Sequence, residues 1–180
     1  MSKNIFQKYS PLVLVLAVIL LFGNCGSEAE PEPEVKCTPD MYETNNSIES
    51  SYELAAIEED SVSFTATIST DGDVDFYSIE TIEGTHMGIP SSPQYFKVIF
   101  RLENPTNLDY DLFIYSADGA LYDQSENRGD MDESIEVTWQ GTLGFNDDNM
   151  FSIEVKPHTG NWSCDDYTLS VAMYYSDSPW

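Results

Sequence analysis

Positive charge is what this sequence has least of. Seven Lys and Arg stand against 32 Asp and Glu in 180 residues, giving a formal net charge of -25 and an isoelectric point near 4.1. A nucleic-acid partner is thereby excluded, because phosphate binding needs a basic surface. A cationic partner suits such a charge, and so does plain solubility. Histidine is nearly missing too. His86 and His158 lie far apart and at no ligand spacing from the cysteines, which argues against zinc. There is no Gly-x-Ser-x-Gly elbow, no His-Glu-x-x-His and no phosphate-binding glycine loop. Carboxylate pairs are so common here that they carry no glycosidase signal, and the chain reads as non-catalytic. The apolar run over residues 12–22 falls short of the roughly 20 residues a membrane helix needs. What remains, 41% hydrophobic and 13% aromatic residues, is too apolar for a disordered chain.

Residues 1–24 read as a secretory signal. Lys3 and Lys8 form its positive head and residues 12–22 its apolar run. Phe22-Gly23-Asn24-Cys25 resembles a loose bacterial lipobox, in which Cys25 would take the lipid and become the mature N-terminus; the alternative is a plain secretory signal. Removing residues 1–24 takes away two lysines and no acid, so the charge moves from -25 to -27. Three cysteines are an odd number for an exported protein. Lipidation of Cys25 accounts for one and leaves Cys37 and Cys164 to pair in an oxidising compartment. Residues 25–36 are an acidic Pro/Glu tether, extended and disordered by charge repulsion and proline stiffness, with a reach of roughly 30 Å. The expected location is a bacterial cell envelope, at the outer membrane or cell surface rather than the inner membrane, with membrane contact through the lipid alone.

Residues 37–180 read as one folded domain. Val62, Phe64, Ala66 and Ile68 alternate with Ser and Thr, and the same period of two recurs at Phe96–Leu102, Leu112 and Ile114, Ile135–Trp139, Phe151–Val155 and Tyr167–Met173. Residues 48–57 hold a short helical turn or an edge strand. Asp118-Gly119 is a hairpin signal leading to a short return strand near 120–122, followed by a polar loop over 124–132. About eight short strands without a convincing helix predict an all-β fold, an antiparallel β-sandwich of jelly-roll type. The stretch Asp71-Gly72-Asp73-Val74-Asp75-Phe76-Tyr77-Ser78-Ile79 organises this domain. It begins as a turn and runs into a strand with Tyr77 and Ile79 on one face. Asp71, Asp73 and Asp75 crowd the start of that strand and repel one another unless water, donors or a cation offset the charge. By the same parity Phe76, Phe113 and Tyr115 face away from the core. They form either an aromatic strip that grips a protein or polysaccharide or a surface covered by a loop or the N-terminal segment.

Four pieces in order resemble the bacterial pre-peptidase C-terminal domain, a β-sandwich found beside secreted proteases: Asp40-Met41-Tyr42-Glu43-Thr44-Asn45-Asn46, Asp73 to Ile79, Asp109-Tyr110-Asp111-Leu112-Phe113-Ile114-Tyr115 with Asp118-Gly119, and Phe151 to Val155 followed by Tyr167 to Val171. The resemblance implies an accessory module that aids secretion or binds substrate, as in the collagen-binding modules of clostridial collagenases. It also implies a calcium site shared by Glu43, Asn45 and Asn46 with Asp71, Asp73 and Asp75, although Met41 and Asn46 stand where some relatives carry acids. The alternative for these residues is a set of solvated turn positions. The expected function is a lipid-anchored, non-catalytic envelope module that recognises an extracellular or periplasmic macromolecule. The alternatives are a structural scaffold lipoprotein and an accessory subunit of a secreted protease.

Overall fold

The computed structural model describes residues 37–84, 94–142, 144–158 and 162–180. The signal segment, Cys25, the tether and His86 lie outside the described residues. The described residues form nine strands: β1 (Tyr52–Glu53), β2 (Ser61–Ala66), β3 (Asp75–Thr81), β4 (Tyr95–Glu103), β5 (Tyr110–Ser116), β6 (Leu121–Ser125), β7 (Glu133–Gln140), β8 (Asn149–Pro157) and β9 (Tyr167–Ser176). They form a five-stranded sheet in the order β1-β3-β8-β5-β6 and a four-stranded sheet in the order β2-β9-β4-β7. The two-residue β1 pairs in parallel with β3, and the other pairs are antiparallel. The all-β sandwich expected from the alternation is the observed architecture.

Alternation builds this arrangement directly. Phe96, Val98, Phe100 and Leu102 of β4 and Tyr167, Leu169, Val171 and Met173 of β9 point inward. They meet Tyr77 and Ile79 of β3, Leu112 and Ile114 of β5, and Phe151, Ile153 and Val155 of β8 from the opposite sheet. Each such side chain stabilises the fold by about 1.5–3 kcal/mol when fully withdrawn from water. The helical turn and the edge strand left as alternatives for residues 48–57 both occur. A single 3-10 turn, Ile48–Ser50, is capped by Ser47, and β1 follows it. The return strand after Asp118-Gly119 runs longer than expected, through Ser125, so residues 124 and 125 are strand rather than loop. Its turn depends on Gly119, whose φ of 78° suits a residue without a Cβ, and the Gly119 amide donates to the Ser116 carbonyl at 2.8 Å.

Residues 37–60 are not a free leader. The Asn45 carbonyl accepts from the Phe76 amide at 2.7 Å, and the Leu54 and Ile57 amides donate to the Ser78 and Glu80 carbonyls. A Cys37–Cys164 disulfide holds the beginning of the segment to the loop before β9, the pairing that the cysteine count indicated.

Candidate metal centre at the N-terminal seam

The seam between residues 37–60 and the sandwich is where the sequence-marked acids meet. A turn closed by the Asp73 amide on the Thr70 carbonyl (3.2 Å) brings the chain into β3. Gly72, at φ 79°, occupies the third position of that turn. The period of two starts only beyond it, so Asp71 leaves the row. It is exposed, while Asp73 and Asp75 are buried. From the other side come half-buried Glu43 and fully buried Asn45, whereas Asn46 is exposed. One carboxylate oxygen each from Glu43, Asp73 and Asp75 lies within 4.8 Å of the others. The structure thus brings together the Glu43, Asp73 and Asp75 carboxylates of the expected set and leaves Asp71 outside that group, with Asn45 buried in the same seam and Asn46 exposed.

Donors around this group are few. Asp73 Oδ2 accepts from the Ser69 amide at 2.7 Å and from its hydroxyl at 2.9 Å. Glu43 Oε1 lies 3.2 Å from that same hydroxyl, which has one proton for two carboxylates. Asp75 Oδ2 accepts from the Tyr167 hydroxyl at 2.6 Å. The Tyr77 hydroxyl lies 2.7 Å from Tyr167 and must donate to it, because the Tyr167 proton is already committed. Asp75 Oδ1 and both ends of the Asn45 amide are buried without a hydrogen-bond partner. The Asn45 side chain does lie beside the Tyr77 hydroxyl, but the geometry of a hydrogen bond is not met there. Asp40 stands nearby with its two oxygens accepting from the Tyr42 and Thr67 amides at 2.8 Å each.

The electrostatics follow from that shortage. Burial, and then the charges of Asp73, Asp40 and Glu43, push the Asp75 carboxyl up to about 7, although the Tyr167 hydrogen bond opposes the rise. Burial and the neighbouring Asp73 raise Glu43 as well. Acids crowded to this degree accept protons or a cation. All the convergent groups are hard oxygen ligands, and two oxygens on opposite sides of a calcium ion stand about 5 Å apart. The spacing and the orphaned Asn45 and Asp75 oxygens therefore fit calcium, and the absence of nitrogen or sulfur from the group argues against zinc.

Sequence reasoning missed Asp40, Ser69 and Tyr167. Asp40 carries a local signal, since its side chain caps its own turn. Tyr167 lies 92 positions from Asp75 and carries none.

A second group of acids lies at the start of β5 and β7. Asp111 Oδ2 is 3.3 Å from His158 Nδ1, and Arg128 donates to His158 Nε2. His158 is therefore a partner of a buried acid rather than the plain loop histidine its position suggests. Asp109 accepts from the Gly129 amide at 3.1 Å, and Glu133 accepts from the Ser125 hydroxyl and from the Asn127 amide at 2.9 Å.

The aromatic strip is not an open surface. Phe76, Phe113 and Tyr115 do stand on the outer face of the five-stranded sheet, as parity required. Phe113, however, is only 5% exposed, and the Lys156 ammonium sits 3.7 Å over its ring. Tyr115 donates to Glu154, and Phe76 is half-buried with its ring 6.4 Å from that of Tyr115. Glu154 is the cross-strand neighbour of both Phe76 and Phe113, so the rings are engaged within the sheet's own face.

No family model and no curated protein matches this chain.

Proposed function

We propose that this chain is a non-catalytic binding module of a bacterial cell envelope, exported, anchored through a lipid on Cys25, and fastened at its N-terminal seam by calcium. The reading keeps the likeness to pre-peptidase C-terminal domains. The observation that carries it is the position of the acids. The Glu43, Asp73 and Asp75 carboxylates converge on a joint between two parts of the fold where the Asn45 amide is buried, and a cation there serves to fasten rather than to react. The Glu43, Asp73 and Asp75 carboxylates and the Asn45 amide oxygen would hold the ion, which supplies the positive charge the site lacks. The Ser69 and Tyr167 hydroxyls orient two of those carboxylates. A module of this kind works by binding, and an extracellular or periplasmic macromolecule is its target.

Thermal melts of the mature domain in calcium and in chelator test the fastening. Calcium at a hundredfold excess over its dissociation constant should add about 2.7 kcal/mol of stability, and Glu43→Gln should abolish the gain. Superimposable melts would remove calcium from the proposal. Cys25→Ala should release the protein from membranes and end its labelling by fatty acid. Isolated envelope fractions should retain the mature domain in a cosedimentation assay.

A further inference from the structure

Away from the seam, the two sheets part on one side of the sandwich. There β6 and β7 are the edge strands of the five- and four-stranded sheets. Glu133 ties them at one end by accepting from Ser125 and Asn127. Toward Tyr122 and Trp139 an open cleft of about 360 Å³ stands between them. Its lining includes Val137 and Trp139 from the inner side of β7 and Phe151 from the inner side of β8. Tyr122, 52% exposed, and Met150, 39% exposed, stand at the rim with the carboxylate of Asp118. The Trp139 indole nitrogen is buried without an acceptor among the described residues. Because β7 pairs with β4 alone among the described residues, its other edge offers a row of amides and carbonyls that no described strand pairs.

We propose that this edge is a strand-addition site for an extended segment of a partner protein, apolar and cationic by turns. The segment pairs along β7. The side chains it turns inward enter the cleft against Trp139 and Tyr122, and the alternate ones lie outward beside Glu136. In strand addition the backbone supplies affinity and alternate side-chain pockets supply selectivity. The cationic character follows from charge complementarity with a chain of net charge -25. A second copy of this chain carries the same charge and is repelled. A sugar stacks best on the wide face of an indole, but Phe96 already stacks on Trp139 (5.2 Å, 21°). The inference rests on the reading of the chain as a binding module and names the class of its partner.

The test uses the disulfide-bonded mature protein and four probes: a synthetic peptide of alternating Lys and Val, its Glu–Val counterpart, a Lys–Val peptide of the same composition in two blocks, and a glucan oligosaccharide. The alternating Lys–Val peptide should slow amide exchange along Glu133–Gln140, change tryptophan emission and bind more weakly as salt rises. Tyr122→Ser should weaken it roughly tenfold, a hot-spot-sized loss. Should Tyr122→Ser lower the melting temperature, Glu136→Lys, a surface change, decides in its place by weakening the same peptide. Unchanged exchange along β7, equal binding of the Glu–Val or block peptide, or occupation of the cleft by the oligosaccharide would overturn the proposal. Undiminished retention of a well-folded Tyr122→Ser protein by envelope fractions would also overturn strand addition while leaving the binding module intact. Failure of the wild-type protein to be retained at all would instead count against the module.

Discussion

Two groups of buried acids stand at the same end of the sandwich, their β3 and β5 members on the two strands that flank β8, and the fold treats them differently. Asp75 and Leu112 both face Val155 across the ladder, so the seam group and the Asp109–Asp111–Glu133 group are close in space. In the second group a histidine meets Asp111, an arginine meets that histidine, and backbone amides meet Asp109 and Glu133. At the seam three carboxylates converge within 4.8 Å on two hydroxyls and one amide, with no cationic side chain among the described residues beside them. Burial alone does not make a cation site, since both groups are buried and both leave oxygens unpaired. Convergence without an internal cation is what sets the seam apart.

Breaking the Cys37–Cys164 bond should disturb this contrast most. A closed loop with a sequence separation of 127 corresponds to about 5 kcal/mol in the chain-entropy model. The Cys37→Ser, Cys164→Ser double variant should lose most of that in urea denaturation. Its calcium response should fall more than the protection of the amides around Asp111, because only the seam depends on the pinned segment.

The next largest effect is on pH dependence. Asp75 titrates near 7 in the fold and near 4 unfolded, so between those values the folded state binds more protons. In chelator, stability should therefore be greatest at the acid end of this window and fall as pH rises through it, by up to about 4 kcal/mol. Asp111 and Glu133 are raised by burial and act in the same direction. Asp75→Asn should nevertheless flatten the profile more than Asp111→Asn. Calcium should reverse the slope, because it binds the ionised acids. A flat profile in chelator would mean that Asp75 stays ionised in the fold.

The smallest change sharpens the contrast. His158→Ala removes the hydrogen-bond partner of Asp111 and should cost about 1 kcal/mol, the same with calcium as without it. Glu43→Gln should behave in the opposite way, nearly neutral in chelator and unable to gain from calcium. Paired melts of the two variants in both buffers check this.

Most of the fold was legible because alternation is a local property. Val98, Phe100 and Leu102 declare their face within three turns of the pleat, and Asp118-Gly119 declares its hairpin within two residues. β1 was legible only as one of two alternatives for residues 48–57, because two residues carry no period, and its parallel pairing with β3 comes with the docking of the 37–60 segment. At the site, Asp73 and Asp75 were readable as part of an acidic surplus at a strand start, and Glu43 only through the resemblance. Asp71, which the resemblance added to that set, is exposed on the Gly72 turn and stands outside the Glu43–Asp73–Asp75 group. The covering of Phe113 by Lys156 also lay beyond reach. Parity gives the side of the sheet on which a ring lies and is silent about which long side chain folds over it.

The disulfide also determines how tension enters the molecule. A pull on the chain ahead of Cys37 passes across the bond to Cys164, three positions before β9. β9 is an inner strand, paired with β2 over Tyr167–Ala172 and with β4 over Thr168–Ser176, so the load meets many ladder hydrogen bonds in parallel rather than one after another. Residues 38–60 lie on a slack side branch of that path. On the proposed reading, an ion bound at the seam is thereby shielded from traction on the chain ahead of Cys37.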